Sequence, residues 1–528
     1  MPMTDLESAL TIPDLLAAAA TRYGDATAIE DGDTRLAYRQ LDQLRRQAGR
    51  ALLALDLRVG ERVAIWAPNI HEWIVAAIAL QSVGAVLVPL NTRMKGAEAA
   101  YILRQSGASL LFVVGEFLGT RYPALLDGED LPALRTRICL RGEAPGCLGW
   151  TEFMALAAEV SPAALEVRQR QVGPDHLSDL LFTSGTTGKP KGVMSAHGQN
   201  LRIVRDWSTM VGLRPGDRYL IVNPFFHSFG YKAGWLAALM SGCCILPQQV
   251  FDVPVMLERV AREKVSVLPG PPTLYQSILS HPKRRDYDLS SLRVAVTGAA
   301  SVPVEMVRRM ASELGFETIV TAYGLTEACG FVTICRPGDS AERVATTSGR
   351  AFPNVEVRCV DGAGNPVPAG EPGELLVRGY NLMKGYFNDP EATAEAIDAD
   401  GWLHTGDIGV LDEAGYLRIT DRIKDMFITG GFNVYPAEIE QVLLGYPGVA
   451  QAAVIGIADE RLGEVAMAFL LPAAGCSLDG DAFLAWCREQ MANYKVPRRV
   501  RVLQAMPLNA AGKVTKDALR RLAEDDAG

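Results

Sequence analysis

Leu180-Leu181-Phe182-Thr183-Ser184-Gly185-Thr186-Thr187-Gly188-Lys189-Pro190-Lys191-Gly192 reads as a short apolar strand running into a loop of hydroxyls, glycines and lysines. Glycine lets a backbone turn tightly and present N–H groups to an anion. Hydroxyl and ammonium groups add further donors, so the run is a candidate cradle for an oligophosphate. It departs from the Walker A loop, because Gly185 and Gly188 stand three apart and Lys189 is followed by Pro190, where that loop needs Ser or Thr. The bland alternative is a flexible turn with two solvated lysines. The length and order of the run argue against it.

Working outward, strand candidates alternate with helical stretches on both sides of this loop. Before it, Thr11-Ile12-Pro13-Asp14 is a helix start with Thr11 as cap. Leu41, Leu44, Ala48, Leu52 and Leu55 recur at helical spacing. Strand candidates at 62–66, 85–90 and 110–114 are separated by helices, and the stretch 115–174 is less regular. After the loop come strand candidates at 219–222, 265–268, 294–296 and 318–321. Such alternation predicts parallel sheets covered by helices on both faces, an α/β fold. From about 349 the pattern changes. Strand candidates at 355–360, 373–378 and 416–420, separated by Gly/Pro/Asp turns, predict an antiparallel β subdomain. A last unit begins near Asp421, with helices at 436–444 and 479–492 and strands at 452–457 and 465–471.

Composition narrows the class. A chain of 528 residues with 48% hydrophobic and 21% charged residues holds more than one globular unit. A net charge of -9 argues against a general nucleic-acid binder. Nine cysteines without a C-x-x-C pair predict buried free thiols in a reducing, cytoplasmic setting. No secretory signal is visible at the N-terminus. The almost uncharged run 74–90 is broken by Gly84 and Pro89, so it predicts a buried helix and strand in place of a membrane span.

Several short runs carry possible chemistry. Pro224-Phe225-Phe226-His227-Ser228-Phe229-Gly230 sets a histidine among aromatics, though such a residue is more often a satisfied core histidine. Thr297-Gly298-Ala299-Ala300 follows a strand, where a nucleotide could approach small residues, or where the chain merely turns. In Thr321-Ala322-Tyr323-Gly324-Leu325-Thr326-Glu327, a tyrosine face can stack on a base and a glutamate oxygen suits magnesium. Asp407, in Trp402-Leu403-His404-Thr405-Gly406-Asp407, can accept hydrogen bonds from two ribose hydroxyls, or close an Asx turn. Asp421-Arg422-Ile423-Lys424-Asp425 sits at the change of composition, where a hinge belongs. Lys513 follows the small-residue turn Pro507-Leu508-Asn509-Ala510-Ala511-Gly512.

Together, and in this order, these runs resemble the adenylate-forming superfamily of acyl-CoA synthetases, carrier-loading adenylation domains and luciferases. The resemblance spans about residues 20 to 520. It implies a large N-terminal AMP-binding domain, 1–421, made of two α/β subdomains and a β-barrel-like subdomain. A small mobile α+β domain, 422–528, would follow a hinge at Lys424. It implies ATP, Mg2+ and coenzyme A as co-substrates and cofactor, and a carboxylic acid as partner. Thr183, Ser184, Gly185, Thr186, Thr187, Gly188, Lys189 and Lys191 would hold the β- and γ-phosphates. Gly298, Ala299, Ala300 and Gly324 would line the adenine and acyl pocket, and Tyr323 would stack on adenine. Thr326 would contact the α-phosphate, and Glu327 with Thr183 the magnesium ion. Asp407 and Arg422 would bind the ribose, Lys513 would be the catalytic lysine, and Gly430-Gly431 would flank the thiol tunnel. His227 would stand near the acyl carboxylate, with Phe226, Tyr231, Trp235 and Phe331 as pocket walls.

The run 430–438 resembles that of acyl-CoA synthetases, which favours CoA over a carrier protein as thiol. A stand-alone carrier-loading enzyme and a medium- or long-chain fatty acid ligase are the alternatives. The runs 223–232, 267–273 and 293–300 resemble ligases of bacterial steroid breakdown, which implies a hydrophobic monocarboxylic acid of the indane-propanoate kind. A homodimer is one assembly open to such a chain, and no transmembrane segment or nucleic-acid partner is expected.

Overall fold

The computed structural model describes residues 6–184, 189–298, 302, 304–422, 427–434, 436–473, 475–507, 514 and 516–525. The side chains of Ser184, Thr273, Thr420, Asp421, Arg422, Asn433, Ala437, Glu438, Gln441, Asp517 and Asp525 lie outside the description.

The opening stretch forms an antiparallel hairpin, Leu177–Ser184 with Pro190–Ala196. That hairpin ends a seven-stranded sheet. Next to it, in order, lie Val86–Pro89, Arg62–Trp66, Leu110–Val113, Thr136–Cys139 and Leu148–Gly149, joined by parallel pairings. The central strands are continuous apolar runs because helices cover both faces. The helix His71–Ser82 is buried from Glu72 onward and runs into the buried strand Val86–Pro89. This accounts for the uncharged stretch 74–90. Among the described residues, no helix is long and apolar enough to cross a membrane.

A second α/β layer contains Arg218–Ile221, Cys244–Pro247, Thr27–Asp31 and Thr34–Ala37. Single parallel bridges through Val267 link Tyr219 to Val294, and so join it to a sheet of Val294–Gly298, Thr318–Tyr323, Thr333–Ile334 and Arg350–Ala351. The strand expected at 265–268 is only this bridge, because Gly270 and the prolines after it end the pairing. The strand Thr27–Asp31 was not legible, since its acidic end hides its pattern.

The antiparallel subdomain has four strands: Val355–Val360, Pro372–Gly379, Leu403–Leu411 and Leu417–Arg422. The last unit pairs Val449–Asp459 with Gly463–Pro472 and adds Arg499–Val502 at one edge. Alternate residues of these strands feed two cores. Val454, Ala466, Ala468 and Leu470 pack with Phe483 and Cys487 of the helix Gly480–Gln490 on one face. Ala453, Ile455, Met467 and Phe469 pack with Leu519 on the other.

Candidate active site

The ends of these sheets meet at one cleft of ≈ 2130 Å³. That exceeds what one drug-sized ligand fills and leaves room for a nucleotide, an acid and a thiol chain together. Its walls draw residues from both parts of the chain. Thr183, Lys191, His227, Gly298, Tyr323, Gly324, Thr326, Glu327 and Asp407 come from the first part, and Gly430, Gly431 and Phe432 from the second.

Tyr323 ends the strand Thr318–Tyr323, and its hydroxyl donates to Oδ2 of Asp407 on Leu403–Leu411. Two sheets are thereby tied together at the wall of the cleft. The backbone around them tolerates no side chain. A Cβ on Gly324 would sit 2.0 Å from the carbonyl oxygen of Gly330, and one on Gly298 would sit 2.7 Å from that of Ala322. Such glycines let neighbouring backbone segments pack directly against each other beside the cleft.

Glu327 lies in the turn Thr326–Ala328 and accepts at Oε1 from the Tyr386 hydroxyl at 2.9 Å. The Thr183 hydroxyl also bonds its carboxylate. Burial pushes the Glu327 carboxyl above the ordinary range; the bonds from Tyr386 and Thr183 pull it down, and the nearby Asp407 pushes it up. A hydroxyl and a half-buried carboxylate converging on one point fit a magnesium ion, which would favour the ionised form. Lys191 stands with its ammonium 5.2 Å from the Tyr386 ring centroid. His227 accepts at Nδ1 from the Phe229 N–H at 3.2 Å, which leaves the imidazole proton on Nε2. Desolvation by the surrounding protein lowers the His227 imidazole, so it is neutral near pH 7.

Phe226 is in the cleft wall; Tyr231, Trp235 and Phe331 are not. Tyr231 and Trp235 lie one π-helical turn apart in Phe229–Leu236 and stack at 4.8 Å and 18° behind the wall. The Tyr231 hydroxyl meets Nε2 of Gln81, also in the core. Phe331 is buried against Trp207 and Phe352. Lys189 is exposed and outside the wall. Gly185, Thr186, Thr187, Gly188, Ala299, Ala300, Lys424 and Lys513 lie outside the described residues, as do the side chains of Ser184 and Arg422.

Some wall residues had no signal that singled them out. Trp207 looks like one more apolar position of the helix His197–Val211. Tyr386 sits in a turn before Asn388, whose φ of 56° is a left-handed position that marks a turn but no ligand. Phe432, Tyr494 and Lys495 reach the cleft only because the last unit docks against the first.

The AMP-binding enzyme family model matches residues 16–387, and the model of the AMP-binding enzyme C-terminal domain matches 438–513. A relative from Rhodococcus jostii (strain RHA1), named as the CoA ligase for a 7a-methyl-1,5-dioxo-octahydro-1H-inden-4-yl propanoyl group, is 50% identical over 521 residues, 97% of this chain and 99% of its own length. Its namesake from Mycobacterium tuberculosis (strain ATCC 25618 / H37Rv) is 51% identical over 512 residues, again 97% and 99%. The o-succinylbenzoate CoA synthetase of Bacillus subtilis, solved with a product analogue, superposes with a TM-score of 0.80 at 27% identity, covering 97% of this chain and 98% of that one. Like them, this chain pairs a large N-terminal with a small C-terminal part, and such ligases use ATP, Mg2+ and CoA. The chain belongs to the AMP-binding enzyme family, and it is an AMP-forming acyl-CoA ligase.

Proposed function

We propose that the acid is a hydrophobic ring-fused propanoate carrying ring ketones, of the indane kind named for the relatives at 50% and 51% identity. The observation that carries this reading is the aromatic wall of Trp207, Phe226 and Phe229 beside His227, in the same cleft as Tyr323, Glu327 and Asp407. A carboxylate is a poor acyl donor, so its oxygen first attacks the α-phosphorus of ATP, breaking the bond to pyrophosphate. The thiol sulfur of CoA then attacks the acyl carbon, and the carbon–oxygen bond to AMP breaks.

In this reading Tyr323 stacks on adenine, Asp407 and Arg422 hold the ribose, and Thr326 holds the α-phosphate. Glu327 and Thr183 would hold magnesium, which supplies charge stabilisation at the phosphates when bound. Lys191 and the loop 183–189 grip the departing pyrophosphate. Neutral His227 donates from Nε2 toward the acid without adding charge. Lys513 serves the first step, and rotation about Lys424, between 1–421 and 422–528, brings Gly430-Gly431 to the second. The reaction belongs in the cytoplasm, the reducing setting that fits nine cysteines without a disulfide.

The test is a panel of dioxo-indane propanoate, octanoate, palmitate and ferulate, scored by kcat/KM for CoA-dependent AMP formation. The ring-fused acid should lead by about tenfold or more. A lead for octanoate, palmitate or ferulate would overturn the reading.

A further inference from the structure

Ser228 stands between His227 and the π-helix Phe229–Leu236, and His227, Ser228 and Phe229 all line the cleft. Its side chain does not cap that helix and makes no hydrogen bond among the described residues. The residue as a whole is only 6% exposed, yet its oxygen, unlike the indole nitrogen of Trp207, is not sealed from solvent. Gly330, another residue of the wall, shows where that oxygen points. A Cβ on Gly330 would stand 3.2 Å from Oγ of Ser228 and 3.3 Å from its Cβ, and beyond its own chain neighbours it would meet no other atom within 4 Å. Ser228 Oγ and the bare Cα of Gly330 therefore border one small open space in the cleft. Gly330 keeps that space open, because its φ of 94° is a left-handed value that residues with a side chain rarely adopt. Asn223 and Thr297 also line the cleft, but Asn223 Oδ1 and Thr297 Oγ1 are enclosed.

We propose that this space takes a ring ketone of the acid, with the Ser228 hydroxyl donating to the ketone oxygen. The proposal rests on the reading that the acid is a keto-bearing ring propanoate. A hydroxyl can donate, and a carbonyl oxygen can only accept. A hydrocarbon ring filling the same space would strip the hydroxyl of water and leave it unpaired, so the ketone-bearing acid gains over an equally bulky hydrocarbon. The place of Ser228 in the chain selects which ketone. Its neighbour His227 stands at the acid's carboxylate in that reading. Of the two ketones in the acyl group named for the relatives, one is on the ring carbon next to the carbon that bears the propanoyl chain, and the other is on the five-membered ring. The first is the closer to the carboxylate, and it is the one assigned to Ser228.

The test compares three acids in wild type and Ser228→Ala: the dioxo-indane propanoate, the analogue lacking only the ketone next to the chain, and the analogue lacking only the ketone of the five-membered ring. Ser228→Ala removes no hydrogen bond among the described residues, so the fold should hold. It should lower kcat/KM about tenfold for the two acids that keep the near ketone and leave the acid that lacks it within about twofold. Difference infrared spectra of the bound dioxo acid, with 13C at the near carbonyl, should show that stretch at lower frequency in wild type than in Ser228→Ala. No loss on the dioxo acid, equal losses on all three acids, a loss that follows the other ketone, or the same stretch in both proteins would overturn the Ser228 assignment while leaving the substrate reading intact. Failure of wild type to activate any of the ring acids, with good turnover of a fatty acid, would overturn both.

Discussion

Glu327 holds a proton more tightly than an ordinary carboxyl because the half-buried site withholds water from it, and it offers its oxygens where a cation is expected. Binding of Mg·ATP must therefore expel that proton. At mildly acidic pH, calorimetry in two buffers of different ionisation enthalpy should show proton release on binding, and Glu327→Gln should abolish it while cutting adenylation about a hundredfold or more. Unchanged proton release in Glu327→Gln would place the titrating group elsewhere. His197 offers the opposite case. It is fully buried, accepts at Nδ1 from the Ile12 N–H at 3.3 Å, and is pulled down to about 3 by burial. Its folded pKa lies below the unfolded value of 6.5, so the neutral form stabilises the fold above that value and the contribution is lost as pH falls through it. Between pH 7 and pH 5 this amounts to about 2 kcal/mol. Urea unfolding should show that loss in wild type and a smaller one in His197→Asn.

The hairpin of Leu177–Ser184 and Pro190–Ala196 is held to the π-helix Phe229–Leu236 by charges with no contact to solvent. Lys232 Nζ faces Oδ1 of Asp179 at 3.3 Å and donates to Oγ of Ser195 at 3.1 Å. Asp179 Oδ2 accepts from Ser178 Oγ at 2.7 Å and Asn200 Nδ2 at 2.6 Å. Asp179 and Ser195 lie on the two strands of the hairpin, so these contacts join it to the element that carries Phe229 of the aromatic wall. Lys232→Met would leave a buried carboxylate without its cation and should destabilise the protein by about 3–5 kcal/mol. Adding Asp179→Asn should recover most of that, as chemical denaturation can show. No recovery would mean that lysine packing, not charge, is what holds the elements. The first strand of the hairpin was legible, as an apolar run entering a loop; the return strand Pro190–Ala196 was not, because proline, lysine and glycine open it. Nor was the π-helix. Tyr231 and Trp235 read as pocket walls because an aromatic run beside a histidine gives no indication of which face meets the core. Only the widened turn, which stacks the two rings on each other, turns them inward.

At the scale of the whole molecule, local chemistry was readable and docking was not. Strand and helix patterns foretold both parts, whereas the contacts between them join residues about four hundred positions apart. Lys495 Nζ reaches Oε1 of Glu98 at 2.9 Å, and the Tyr494 hydroxyl accepts from Nδ2 of Asn91 at 3.2 Å. Arg93 lies 4.0 Å from the centroid of Phe432, which stacks on Tyr494 at 4.7 Å. These contacts hold Gly430 and Gly431 in the cleft wall. In the proposed two-step cycle, that is the arrangement suited to thiol transfer, so contacts unique to it should speed that step alone. Lys495 and Glu98 are both largely buried, with side chains 7% and 17% exposed, so their attraction is only partly screened. Glu98→Lys should slow transfer from a supplied acyl-adenylate to CoA by about tenfold and leave acid-dependent pyrophosphate release within about twofold. The exchanged pair, Glu98→Lys with Lys495→Glu, should restore the transfer rate, since it re-forms the ion pair with opposite polarity. Single-turnover kinetics separate the two steps. Equal slowing of both in Glu98→Lys would mean that the pair supports the fold as a whole and does not select an arrangement of its two parts.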